Sequence, residues 1–179
     1  MTLPLDSGVH SRVHTQNMAE GCDCRTESAT DARAACHQCG SKSSAVDEVT
    51  ARALLTDGAL RLLTSAPLYF CNEPTCSAVY FATDGQVYTG ADLRVAVWQK
   101  EQPGRRRICY CFDENEASIL REFVDTGRCE AVHRVRNHIA ADRCACEVRN
   151  PRGTCCLGDL IKAVACIESR WLSEFENCQ

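Results

Sequence analysis

Cys36-His37-Gln38-Cys39 and Cys71-Asn72-Glu73-Pro74-Thr75-Cys76 present four thiols as two short pairs. Four deprotonated soft ligands arriving in this way match tetrahedral Zn²⁺, which is fully enclosed when its role is structural. The second pair leaves one apolar run (LYFC) and enters another (AVYF). Zinc ribbons and treble-clef knuckles are built like this, with the metal replacing a core too small to stand alone. Free core cysteines or a redox dithiol are the alternative reading. His37, inside the first knuckle, is read as solvent-facing.

A second group follows: Cys109-Tyr110-Cys111, Cys144-Ala145-Cys146 and the doublet Cys155-Cys156. The doublet precedes a long helical pattern, where backbone N–H groups and the helix dipole favour thiolate over thiol. Cys111 stands close to the start of another. Iron–sulfur clusters need four thiolates, N–H donors to sulfur and an apolar cover, which Tyr110 and Phe112 could supply.

The totals agree with metal-bound thiolates. The fifteen cysteines are odd in number and mostly in short-range pairs, which cannot staple distant parts of a chain. The first residues show no apolar h-region and no cationic n-region, so a reducing cytoplasm is expected. No apolar run approaches the roughly 18 residues of a membrane span. A formal net charge of −4 gives no reason to expect nucleic acid or an acidic membrane. Each loaded four-thiolate site would add about two further negative charges.

The elements that must position these residues divide the chain in three. Residues 1–33, rich in Ser, Thr, Asp, Ala and Gly, read as a disordered tail. Residues 34–101 are strand-rich. One or two short helices are expected over Val49–Leu63, interrupted at Asp57-Gly58. Strands are expected around Leu68–Phe70, Ala78–Phe81, Gln86–Tyr88 and Leu93–Trp98, with a hairpin turn at Asp84-Gly85. Residues 102–179, beyond Gln102-Pro103-Gly104, read as helical. Asp113 and Glu116 suggest a capping box, with a stripe of Ala117, Leu120, Phe123 and Val124 ending at Gly127. Val132, Val135 and Ile139 suggest a second helix. A last helix over about Cys156–Phe175 carries Leu157, Leu160, Ile161, Val164, Ile167, Trp171 and Phe175 on one face. The fold class is therefore α+β: a small strand-rich zinc-knuckle subdomain followed by a helical cluster-binding subdomain.

The segments YFCNEPTCSAVYF, ICYCF and CEVRNPRGTCCLGDL resemble the N-terminal domain of CopZ-type copper chaperones, over about Cys36 to Leu172 and in the same order. The cluster part also resembles the bacterioferritin-associated ferredoxin (BFD) domain. The resemblance implies Zn²⁺ at Cys36, Cys39, Cys71 and Cys76. It implies a [2Fe–2S] cluster at Cys109, Cys111, Cys146 and Cys156, with Cys155 as the alternative to Cys156 and Cys144 as the next competitor. It also implies a one-electron redox module linked to copper or other soft-metal handling, with a redox partner or a soft-metal transporter or chaperone as partner. The Met-x-Cys-x-x-Cys loop of the chaperones' copper-binding domain does not occur in these 179 residues, which puts copper transfer by that route in doubt.

Two other readings stay open, a non-redox metallochaperone or scaffold and a ferredoxin-like electron carrier to an oxidoreductase. No nucleophile–base pairing or Gly-rich phosphate loop suggests a hydrolase or transferase, and no catalytic residue is assigned. Cys22-Asp23-Cys24 with His10, His14 and Met18 could take a soft ion but reads as tail. Cys129, Cys166 and Cys178 are unassigned. Arg105-Arg106-Arg107 reads as a solvated linker, and His133 and His138 as residues of a polar helix face.

Overall fold

The computed structural model describes residues 33–176, with side chains to Ser173. The tail reading of residues 1–32, the Cys22/Cys24 pair, Cys178 and the Phe175 side chain lie outside the described residues.

Five short antiparallel strands form one sheet in sequential order: β1 (Arg33–Ala35), β2 (Lys42–Val46), β3 (Leu68–Phe70), β4 (Ala78–Ala82) and β5 (Val87–Thr89). Between β2 and β3 lie two short helices, α1 (Glu48–Leu54) and α2 (Asp57–Leu60). Side chains alternate across a strand. Leu68 and Phe70 therefore join the apolar core made with Val46, Leu55, Tyr88 and Val97, whereas Tyr69 faces the opposite side with Phe81, Cys36 and Cys71. A register shift between Ala78 and Tyr80 turns Val79 and Tyr80 to the same core. Gly85, at φ +97°, closes the β4–β5 hairpin as expected from Asp84-Gly85.

The second half starts with a two-stranded ribbon, β6 (Arg107–Cys109) and β7 (Glu114–Asn115). Helices α3 (Glu116–Thr126), α4 (Ala131–Ala140), α5 (Cys146–Arg149) and α6 (Leu157–Glu176) follow. Ile108, Ile119, Phe123, Val135, Leu160 and Ile167 form its core. Phe123 and Trp171 stack with ring centroids 5.8 Å apart, tying α3 to α6. No helix among the described residues is long and apolar enough to cross a membrane.

Several expectations need correction. Leu93–Trp98 is not a strand. Leu93 and Val97 are buried as the alternation requires, but among the described residues the strand-like backbone pairing of the segment is confined to the Leu55–Leu93 bridge with the Arg94 N–H to Leu54 carbonyl bond beside it. The break between the first two helices falls at Leu55-Thr56 instead of Asp57-Gly58, because the Thr56 hydroxyl accepts from the Ala59 N–H and starts α2 there. The cap of α3 is Asn115 with Ser118, each bonding the other's backbone N–H, and Asp113 sits in the left-handed region at φ 58°. Glu116 is instead buried against Arg106 and the Gly104 N–H. That rotation sends Ile119 and Phe123 inward and leaves Leu120 and Val124 exposed, although the helix does end at Gly127 in the left-handed conformation. In α6, Leu160 and Ile167 are buried, while Ile161 is exposed. Finally, the strand-rich half has an extensive apolar core of its own, so metal does not substitute for one.

Candidate metal centres

The first knuckle is the turn between β1 and β2, and the second joins β3 to β4. Because β2 pairs with β3, the two turns emerge at one end of the sheet. The sulfurs of Cys36, Cys39, Cys71 and Cys76 lie within 4.8 Å of one another. Cys36 and Cys76 are 3.9 Å apart, and Cys39 and Cys71 3.6 Å. A Zn–S bond of about 2.3 Å in a regular tetrahedron requires S···S edges of about 3.8 Å, so this set fits Zn²⁺.

Residues without an obvious sequence signal hold the two turns together. Gln38 Oε1 accepts from the Ser77 hydroxyl at 2.9 Å and the Ala78 N–H at 3.1 Å, clasping one knuckle to the other. The Lys100 ammonium donates to the carbonyls of Glu73 and Cys76 and brings a positive charge to a thiolate site. His37 is exposed and packs on Phe81, ring centroids 5.2 Å apart. The Ser41 hydroxyl and N–H hold the Cys39 thiol down to about 6, whereas burial pushes Cys71 up to about 12.

The second half gathers all six of its paired and doublet cysteines. Cys109 ends β6, and Cys111 lies in the following turn. Cys146 opens α5, and Cys156 immediately precedes α6, its carbonyl accepting from Leu160 N–H. Cys111 lies 3.7 Å from Cys146 and 4.0 Å from Cys144, and Cys144 is 3.2 Å from Cys146. Cys156 interacts with Cys109 and Cys146, and Cys155 with Cys146 and Cys144. Cys109 and Cys156 are almost completely buried, whereas Cys155 is exposed.

The Ala145 N–H points at Cys111 Sγ from 3.4 Å. Thiol protons from Cys109 and then Cys146 hold Cys156 down to about 4. Cys146 and the Ala145 N–H likewise hold Cys111 at about 6 against its burial. Cys109 and Cys146 move upward as the partners that keep their protons. Sulfurs already poised as thiolate, and backbone N–H groups aimed at them, are what a cluster or soft ion requires.

The expected covers divide. Phe112 stacks on His138, centroids 4.3 Å apart, which takes that histidine off the polar face assigned to it. The Tyr110 hydroxyl is tied to the preceding segment: it donates to the Ala96 carbonyl at 2.9 Å and accepts from Trp98 N–H at 3.0 Å. The run Arg105–Arg107 is not simply solvated. Arg106 pairs with Glu116 and lies over the Trp98 ring, and Arg107 pairs with Asp113. Cys129 borders the apolar core, near Glu122, and Cys166 is exposed.

Residues 33–94 match a family of CopZ type described as a zinc binding domain. The solved structure of the Archaeoglobus fulgidus CopZ N-terminal domain is similar at TM-score 0.60 and 26% identity, covering 72% of this chain and 96% of that one. That coverage is about twice the length of residues 33–94, so the likeness runs into the helical half. No curated protein matches the chain. The strand-rich half is thus similar to a zinc-binding, CopZ-type domain, and the α+β architecture matches that fold.

Proposed function

We propose that the chain is a two-centre metalloprotein: Zn²⁺ at Cys36, Cys39, Cys71 and Cys76, and a [2Fe–2S] cluster at Cys109, Cys111, Cys146 and Cys156. It serves as a one-electron redox module linked to copper or other soft-metal handling, with a metal-transfer or redox protein as partner. Residues 34–101 and 102–179 are the respective zinc and cluster subdomains. The observation that carries this reading is the convergence of six thiols between β6, α5 and the start of α6, with the buried pair Cys109 and Cys156 interacting directly.

The burial of Cys156 favours it over the exposed Cys155 as the fourth ligand. The ends of α5 and α6 and the Ala145 N–H offset the negative charge on sulfur, and Ile108 and Leu160 keep water from one side. When bound, the cluster supplies one-electron chemistry. The zinc set, closed by Gln38 and Lys100, fixes the β-rich half.

Anaerobic purification followed by iron, sulfide and zinc analysis tests the reading. About two irons, two sulfides and one zinc per chain are expected, with a cluster signal in the EPR spectrum that appears on dithionite reduction. A chain without iron and sulfide, or one whose cluster takes up no electron, would overturn it.

A further inference from the structure

Six thiols meet where a cluster uses four, and the two left over are not equivalent. Cys155 is an exposed residue whose thiol reaches those of Cys146 and Cys144 without joining the closest sulfurs. Cys144 is half-buried, and its sulfur forms a triangle with those of Cys111 and Cys146, with edges of 3.2, 3.7 and 4.0 Å. All three sulfurs fall within 4.8 Å of one another, the only such group among the described residues besides the first-knuckle set. A single Zn²⁺ bonded to three thiolates at about 2.3 Å holds them about 4.0 Å apart in a plane and closer when pyramidal. We propose that Cys111, Cys144 and Cys146 form a second site for one thiophilic d¹⁰ ion such as Zn²⁺ or Cd²⁺, overlapping the cluster site and mutually exclusive with it.

The surroundings suit one small, soft cation. Two of the ligands come from Cys144-Ala145-Cys146, whose intervening N–H donates to the sulfur of the third, Cys111 in the turn after β6, so this one contact orients the two segments toward each other. Three thiolates around a divalent ion leave one net negative charge. The Arg149 guanidinium, bonded to the Cys111 carbonyl at 3.2 Å, stands beside it. Partial exposure of Cys111 and Cys144 gives the ion a way in. Binding exchanges the remaining thiol protons for the ion, without oxidation or reduction. Soft thiolates select such ions over hard ones. The sulfur triangle stands by itself; only the exclusion of the cluster rests on the reading above, through the shared Cys111 and Cys146.

The test uses the full chain with zinc in place and iron removed, titrated with Cd²⁺. Thiolate-to-metal charge transfer in the ultraviolet is followed, and cadmium and zinc are counted after desalting. Wild type, Cys109→Ala and Cys156→Ala are expected to hold about two ions in total, and Cys144→Ala about one. The same variants are assayed for iron and sulfide after anaerobic cluster assembly: Cys144→Ala retains the cluster, which also shows that it folds, and Cys156→Ala loses it. The proposal is overturned if Cys144→Ala takes up the second ion as wild type does, if Cys109→Ala or Cys156→Ala fails to bind it, or if Cys144→Ala loses the cluster. A wild type that assembles no cluster while Cys144→Ala still lacks the second ion would remove the cluster reading and support this site.

Discussion

The hydroxyl of Tyr80, at the centre of the first core, donates to the carbonyl of Pro151 at 2.7 Å. Pro151 belongs to the Asn-Pro-Arg-Gly turn between Cys146 and the Cys155-Cys156 doublet. A strand of the zinc-binding half therefore sets the height of the loop that carries cysteines of the other half. Thr50 on α1 adds a second tie, donating to the Glu147 carbonyl at 2.6 Å.

Tyr80→Phe keeps the ring and leaves the buried Pro151 carbonyl without its donor. Such a loss costs about 1–3 kcal/mol. Urea unfolding of the metal-loaded protein should show an unfolding free energy lowered by that amount and a correspondingly lower midpoint, with zinc content unchanged. An unchanged midpoint would mean that the loop is held elsewhere.

Gly153 has φ +68°, and a Cβ there would stand 2.7 Å from Thr50 Oγ1. Gly153→Ala meets both the left-handed backbone penalty of about 1–2 kcal/mol and that collision. It should lower thermal stability and weaken iron retention, because the displaced turn leads directly into the doublet. Pairing it with Thr50→Ala should be less damaging than the two changes added together, since the collision disappears.

Glu122 receives both arms of Arg134, which also bonds Glu114. Arg134 holds the Glu122 carboxyl at about 2, below its ordinary 4.5. A depressed carboxyl contributes stability above its unfolded pKa and loses it as pH falls through the folded one. The contribution should be complete above about pH 4.5 and vanish toward pH 2. Allowing for the partly exposed Arg134, it amounts to about 1–2 kcal/mol. The stability difference between wild type and Glu122→Gln, measured by urea unfolding, should shrink as the pH is lowered across that range.

Cys71 is fully buried within its knuckle. Cys71→Ser should empty the zinc set and unsettle the β1–β2 and β3–β4 turns, because binding at a structural site is folding free energy. Zinc analysis should show a several-fold loss, and heating should unfold the chain at a lower temperature. Full zinc retention in this variant would contradict the four-thiolate assignment.

The cysteine pairs were legible because close spacing alone brings two sulfurs to one place, and the apolar runs around Cys71 and Cys76 located two strands. The Asp84-Gly85 turn and the left-handed Gly127 were legible for similarly local reasons. What escaped depends on contacts across the chain. Nothing near Asp113 or Glu116 announces that Arg106 will claim Glu116 and hand the cap to Asn115. Short polar strands such as Lys42–Val46 carry little pattern of their own and form because β3 lies alongside. Tyr110 reads locally as a shield for its neighbouring cysteines, yet its hydroxyl is claimed by Ala96 and Trp98.

That pin from Tyr110 to the stretch before Gln102 changes what the covalent link at residues 101–104 is for. With Tyr80 and Thr50 already bridging to Pro151 and Glu147, the exposed segment there joins two pieces that grip each other independently. A chain divided at that point should behave as a split protein, its fragments finding each other by complementation instead of drifting apart. The same bridges make the spacing between the two thiol sets a property of the packed interior, indifferent to residues inserted in the linker.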